Sequence, residues 1–307
     1  MDVSDKKTPV GVIGIGMVGT PVARYFSEIK GYERGRNLFL YDIDPARGLF
    51  DDISQAAIIF VCVPTPRGPN GEADLSAVEA AFETINGEKI VVIKSTVPPG
   101  TTENFQKRFP GHKVLFNPEF LTARMAWEDF IRPDRQIVGF TAESLDAAHL
   151  VLSLLPKAPF MSPWGTGTYE RTAIGATEAE IIKYGGNIHF ARKISFANAL
   201  AKLAEAHGAD YENVRRGMAA DHRIGASHLD VAHGGYRGFG GFCLPKDLDA
   251  LIIHLEEIGL ADCATLLRRD REFNEKLLAS QGLTIEDVSA RDYPERARQK
   301  LGKAAEV

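Results

Sequence analysis

Val10-Gly11-Val12-Ile13-Gly14-Ile15-Gly16-Met17-Val18-Gly19 is the stretch on which the fold turns. Its first four residues are a short apolar run, and Gly14, Gly16 and Gly19 then fit the spacing G-x-G-x-x-G. Behind them Val22, Phe26 and Ile29 recur at helical intervals, so the context is strand, tight turn, helix. A dinucleotide site needs each glycine for its own reason. The first permits the turn, the second lets a pyrophosphate approach the backbone, and the third lets the helix pack on the strand. Unpaired N–H groups at the helix start then face the phosphates. Met17 and Val18 lie within this cofactor loop.

The next apolar run, Leu38-Phe39-Leu40-Tyr41, ends in Asp42. An acid at that strand end accepts from the adenosine ribose hydroxyls and repels a 2′-phosphate, which favours NAD over NADP. Further apolar runs follow at α/β spacing: Ala57 to Val63, Lys89 to Lys94, Lys113 to Phe116 and Gln136 to Phe140, with a helical pattern from Leu75 to Ile85. The spacing predicts an open parallel sheet. Ligands bind such sheets at the carboxyl ends of the strands. Val63-Pro64-Thr65, Thr96 and Glu119 are therefore expected to converge near the nicotinamide end of the cofactor. Turn and helix-cap chemistry is the competing role for Thr65 and Thr96, and the two roles are compatible.

The chain has 307 residues, 44% apolar and 25% charged, with a net charge of −5. That is room for one large or two ordinary domains. The charge gives no reason to expect nucleic acid or an anionic membrane as partner. No apolar run approaches the ~20 residues of a membrane helix. Cys62, Cys243 and Cys263 are odd in number and far apart. They form no disulfide framework and no CxxC metal pair, and a reducing, cytoplasmic compartment fits best.

From about Thr177 the pattern turns helical. Ile181, Tyr184, Ile188, Ala191, Ile194, Ala197, Leu200 and Leu203 recur every three or four residues up to Gly208. This predicts a long central helix that forms a homodimer. Lys183 and Asn187, four apart, share a helix face. A lysine near an alcohol serves as base or polarises an oxygen, and an asparagine amide donates to an oxyanion. A solvated polar face is the ordinary alternative. His222, His228 and His233 match no metal-ligand spacing, so no metal is expected. Arg223 suits a phosphate, because its planar fork matches that group.

Gly238-Phe239-Gly240-Gly241-Phe242-Cys243-Leu244-Pro245-Lys246-Asp247 sets a lone cysteine among glycines and beside a Lys-Asp pair. The thiolate is the nucleophilic form, and a neighbouring cation raises its share. Lys246 is a candidate for that cation, and Asp247 for the group that holds it or a water. The bland alternative is a small buried hydrophobe.

Taken together, these stretches resemble the UDP-glucose/GDP-mannose 6-dehydrogenase family. The resemblance runs from about Val10 to Asn274 through Val63-Pro64-Thr65-Pro66, Lys94-Ser95-Thr96-Val97, Asn117-Pro118-Glu119-Phe120-Leu121, Glu180 with Lys183-Tyr184 and Asn187, Arg223-Ile224-Gly225 and Gly240 to Asp247. It implies four-electron oxidation of a sugar C6 alcohol to a carboxylate with two NAD in turn. Lys183 and Asn187 would stabilise the alkoxide and the later oxyanion. Cys243 would attack the aldehyde, and a water near Thr96, Asp247 and Glu119 would hydrolyse the thioester. Glu119, Phe120, Leu121, Lys183, Asn187, Arg223, Phe239 and Gly240 would contact a nucleotide-sugar substrate, Arg223 that of the partner subunit. Lys246 would sit between cofactor and substrate.

Three departures accompany the resemblance. Ala123 stands where the family carries a second glutamate. The Asp42–Val63 segment is short and predicts a smaller sheet. The family continues into a second Rossmann-like domain, whereas this sequence ends at Val307, which reads as a short form. The expected organisation is a Rossmann-type NAD-binding domain with a parallel sheet over 1–170, a mainly helical domain with the catalytic cysteine over 171–275, and a charged helical tail over 276–307. Two alternatives stay open: a two-electron 3-hydroxyacid-type dehydrogenase acting on a smaller substrate, and an NAD-binding protein without turnover that needs a partner chain.

Overall fold

The computed structural model describes residues 7–122, 124–163, 173–289, 296–297 and 299–302. Ala123 and the expected boundary at 170/171 lie outside them. The strands are β1 (Val10–Ile13), β2 (Leu38–Tyr41), β3 (Ile58–Val61), β4 (Ile90–Ile93), β5 (Lys113–Phe116), β6 (Arg135–Ile137), β7 (Gly139–Phe140) and β8 (Phe160–Ser162). The α-helices are α1 (Gly19–Arg24), α2 (Ser76–Thr84), α3 (Thr101–Arg108), α4 (Ala126–Ile131), α5 (Leu145–Leu154), α6 (Ala176–Ala206), α7 (Tyr211–Ala219), α8 (Leu244–Glu257), α9 (Ala261–Ala279) and α10 (Ile285–Ser289).

The chain divides into two compact units, Met1–Pro66 with Asp74–Lys183, and Arg67–Ala73 with Tyr184–Val307. The division falls inside α6, between Lys183 and Tyr184. In the first unit six strands run in the order β2-β1-β3-β4-β5-β7. The first five are parallel, and β7 pairs antiparallel with β5. β-Branched and aromatic residues such as Ile58-Ile59-Phe60-Val61 suit strands buried on both faces. Their side chains alternate between two cores. Ile58, Phe60, Val92 and Leu115 pack with Val22, Phe26 and Leu152 on one face. Ile59, Val61, Val91, Ile93 and Val114 pack with Val78, Phe82 and Phe105 on the other.

The Gln136–Phe140 run is two strands rather than one. β6 pairs with β8 in a separate two-stranded sheet, and the chain crosses at Val138 to enter the main sheet as β7. Between β2 and β3 lie two short 3-10 turns, Pro45–Arg47 and Ile53–Gln55, in place of a strand and helix. The short Asp42–Val63 segment has length for nothing more. β1 therefore touches β2 on one side and β3 on the other. The strand order reverses there, which is where such sheets bind ligands.

In the second unit the later part of α6 packs with α8 and α9 through Ile188, Ala191, Phe239, Leu248, Ile252, Ala264 and Leu267. Beyond α9, Leu283, Val288 and Ala297 close over Tyr236 and Leu278. Ile181 and Leu203, counted in the apolar stripe of α6, are exposed. The apolar band on this helix is wider than the face that one chain buries. Among the described residues, no helix is long and apolar enough to cross a membrane.

Candidate active site

The fingerprint loop carries its three glycines for three different physical reasons. Gly14 has φ +86°, and a Cβ there would come within 2.9 Å of the Cys62 backbone. At Gly19 a Cβ would lie 1.9 Å from the Gly14 carbonyl oxygen. At Gly16 it would meet nothing within 4 Å. Turn, open approach and close packing thus fall to first, second and third glycine. This open second position is what a pyrophosphate needs, and the residues fit NAD. Asp42, at the end of β2, is buried and accepts from the Ile15 N–H at 2.7 Å and the Asp44 N–H at 2.9 Å. Arg47 donates to the Ile15 carbonyl at 2.5 Å and lies 3.5 Å from Asp42. Arg47 was not foreseen. Its signal was Asp44, which caps the 3-10 turn and folds the arginine back toward the loop.

The strand ends beyond β3 and β4 are tied together. Thr65 Oγ1 donates to the Thr96 carbonyl at 2.8 Å, and Ser95 Oγ donates to the Val63 carbonyl at 2.7 Å. The Thr65 hydroxyl thus performs turn chemistry and holds half-buried Thr96 in place. Pro64 lies exposed between them. At the ends of β4 and β5 stands a buried charged cluster. Lys94 Nζ donates to Asn117 Oδ1 at 2.7 Å, and the Asn117 amide donates to Gln136 Oε1 and to the Ile137 carbonyl. Glu119 Oε1 accepts from the Leu121 N–H at 2.9 Å. Its Oε2 is buried with no hydrogen-bond partner among the described residues. Lys183 Nζ donates to the Glu119 carbonyl and lies 5.6 Å from the centre of the Phe120 ring.

Burial pushes the Glu119 carboxyl up, against the pull of Lys183 and Lys94. Burial pushes Lys94 down, while Cys62 and Glu119 oppose it. Burial also pushes the Cys62 thiol up to about 12, which keeps it an inert core group. Lys94 stood in the sequence only as part of the Lys94–Val97 match, with no role given to it. Its signal was a lysine ending an otherwise apolar strand run, where a charge stays only if held. Glu180 was quoted only as a motif match. It is fully buried and accepts from the Gly100 N–H at 2.6 Å, the Thr102 N–H at 2.8 Å and Thr102 Oγ1 at 2.6 Å. The two N–H groups are orphan backbone donors at the start of α3. Burial raises its pKa to about 7 despite these bonds.

In the second unit Cys243 is half-buried at the N-terminal boundary of α8. The unpaired N–H groups of a helix start favour negative charge at that end. Asp247, one turn on and 1% exposed, takes Lys246 Nζ on Oδ1 and Asn187 Nδ2 on Oδ2, each at 2.5 Å. Asp247 thus holds the lysine, one of the two roles considered for it, and fixes Asn187. Arg223 is exposed and forked onto Asp221. The Phe239 side chain lies in the core of this unit, and its backbone N–H and carbonyl are both taken by Asn274. The space a Cβ would fill at Gly240 is occupied by Tyr236 Oη and the Val288 carbonyl, at 2.2 and 2.7 Å.

The family description "UDP-glucose/GDP-mannose dehydrogenase family, NAD binding domain" matches residues 48–152, and "central domain" of the same family matches residues 177–276. The chain is 38% identical to the UDP-glucose 6-dehydrogenase of Pseudomonas aeruginosa over 81% of its own length and 61% of the relative's. It is 36% identical to that of Rickettsia bellii over 76% of its length and 51% of the relative's. It thus spans about half to three fifths of these relatives. The solved UDP-glucose dehydrogenase of the archaeon Pyrobaculum islandicum superposes with a TM-score of 0.74 at 30% identity, over 90% of this chain and 70% of that one.

Proposed function

Because the chain belongs to the UDP-glucose/GDP-mannose dehydrogenase family, we propose that it oxidises the C6 alcohol of a nucleotide sugar, UDP-glucose first among them, to a carboxylate. The observation that carries this reading is the head of α8, within the central-domain match. There Cys243 is followed by Asp247, which is bound to Asn187 and Lys246. A two-electron dehydrogenase has no use for a thiol there.

Gly14–Gly19 and Asp42 would hold NAD, which would supply the hydride acceptor for each of two rounds of oxidation at C6. In the first, Lys183 draws the alcohol proton toward its amine or polarises the oxygen. Cys243 sulfur then bonds to the aldehyde carbon, and the carbonyl oxygen takes the proton, giving a thiohemiacetal. An aldehyde must become tetrahedral before it can release a second hydride, and the thiol supplies that geometry. Loss of the second hydride from carbon, with the hydroxyl proton passing toward Lys183 as in the first round, leaves a thioester on Cys243. Water adds to it, the C–S bond breaks, and the thiol regains its proton as the carboxylate leaves. Glu119 is suited to take the water's proton, since burial and an unpartnered Oε2 make it a base rather than a bystander. Thr96 and Asp247 are the further candidates for holding a water in this reading. Asn187 donates to the oxyanion. Phe120, Leu121 and Arg223 belong to the substrate's surroundings in this reading, whereas Phe239 is spent on the core and Gly240 on packing against Tyr236 and Val288, so neither side-chain position offers a substrate contact.

Counting NADH per sugar tests it. Two NADH with uronate as product is expected with UDP-glucose. One NADH with a ketone or aldehyde product would leave the two-electron alternative. Cys243→Ala is expected to form no carboxylate, and carboxylate from that variant would sink the cysteine mechanism.

The chain is also proposed to act as a cytoplasmic homodimer built on α6. Phe196 and Leu203, seven residues apart and so on one helix face, are each 55% exposed. Light scattering is expected to give a dimer mass for the wild type and a monomer mass for Phe196→Asp/Leu203→Asp. A wild-type monomer at working concentration would overturn it.

A further inference from the structure

Upstream of Cys243 the loop from Arg237 to Gly241 is held at every second residue, always from beyond the middle of α9. Gln281 grips Arg237 in both directions: the Arg237 N–H donates to Gln281 Oε1 at 2.8 Å, and Gln281 Nε2 donates to the Arg237 carbonyl at 2.8 Å. Asn274 grips Phe239 in the same way, at 2.7 Å and 2.9 Å. The Gly241 N–H donates to the Val288 carbonyl at 2.7 Å. Asn274 sits in the last turns of α9 and Gln281 just past its end, so the two clamps reach the loop from the same end of that helix. A Cβ at Gly238 would strike Asn274 Oδ1 at 2.6 Å, and Gly238 has φ +111°. The glycine is what lets the amide come so close. Arg237 also anchors outward, through Asn198 and Glu205 on α6.

The clamp side chains bond the backbone of the loop. Asn274 is fully buried, and its amide is spent on the N–H and the carbonyl of one residue, Phe239. Their effect passes along the chain to Cys243 two residues beyond Gly241. We propose that Asn274 and Gln281, with the Val288 carbonyl, are positioning residues for the thiol: they pin residues 237, 239 and 241 and so set where Cys243 stands at the head of α8. Gln281 and Val288 lie past residue 276, where the central-domain match ends. Both residues are thereby part of the thiol's scaffold. The catalytic part of this inference rests on the assignment of Cys243 as nucleophile, and the test below separates the two.

The full chain is treated with iodoacetamide, and each cysteine is followed by peptide mass spectrometry. Exposed Cys263 calibrates the reagent, and buried Cys62 reports global opening. In Gln281→Ala, alkylation of Cys243 is expected to rise about tenfold, the effect of freeing one doubly bonded loop residue, with Cys62 and Cys263 unchanged. Gln281→Glu keeps the acceptor for the Arg237 N–H and loses the donor, so it should fall between. With a sugar that the wild type oxidises, kcat should drop while the KM for NAD stays constant. An unchanged Cys243 rate in folded Gln281→Ala, or a rise shared by Cys62, overturns the inference. Should Asn274→Ala fail to fold, the Gln281 pair decides alone. Absence of turnover in the wild type would strike the dehydrogenase reading, and the alkylation ratio would still judge the clamp.

Discussion

The glycines of one loop illustrate how much a single missing methyl can mean. At Gly19 an added Cβ would sit 1.9 Å from a backbone oxygen, with no flexible atom to yield. Gly19→Ala is therefore expected to lower stability by about 1–3 kcal/mol, the range of overpacking a tight site. Gly16 has open space around the same atom and no positive φ. Gly16→Val should melt close to the wild type yet lose most NAD affinity, because its side chain fills the approach to the pyrophosphate. Thermal denaturation paired with NADH fluorescence titration checks both. Equal loss of stability in the two variants would contradict this division of labour.

Among the elements, α6 and α3 are coupled through Glu180, and the coupling has a pH sign. The folded-state pKa of Glu180, about 7, is raised above the ordinary 4.5, so between those values the folded chain binds the extra proton. Stability from this group is fully present below about pH 4.5 and is lost as pH rises toward 7, by roughly 3 kcal/mol for a shift of that size. Denaturant unfolding at pH 5 and pH 7.5 should show the fall, and Glu180→Gln should lack it. The amide nitrogen that this substitution introduces cannot accept from the Gly100 N–H, so the variant should also start about 1–3 kcal/mol lower. A wild type whose stability climbs across this window would refute the assignment.

Elements also mark how far the sequence could be read. β1 to β5 and α6 announce themselves by apolar period and glycine punctuation. The split of Gln136–Phe140 does not, because five mostly apolar residues cannot tell one buried strand from two short ones in different sheets. Three-residue β8 is too short to carry a period. The site divides likewise. Gly14, Asp42 and Cys243 follow from motif chemistry, whereas Lys94, Arg47 and Gln281 act through partners far away in sequence. Periodicity holds no record of such pairs.

At the scale of the chain, the described residues form two units that each have their own core. The fingerprint, Asp42, Lys94 and Glu119 belong to the first, and Asn187, Cys243 and Asp247 to the second. Under the proposed mechanism, damage to each should leave a different remnant. Cys243→Ala removes only a sulfur from a half-buried site and should keep the wild-type affinity for NAD. It should oxidise alcohol to aldehyde and stop there, because no tetrahedral adduct forms for the second hydride. Gly16→Val should do the reverse: it should bind no cofactor and oxidise nothing, while its Cys243 is alkylated at the wild-type rate. Isothermal titration with NAD, aldehyde trapping and cysteine alkylation on the two variants give all of these readings. If Cys243→Ala also lost NAD, or Gly16→Val altered the thiol, the two activities would share one structural basis and this division of the chemistry would fail.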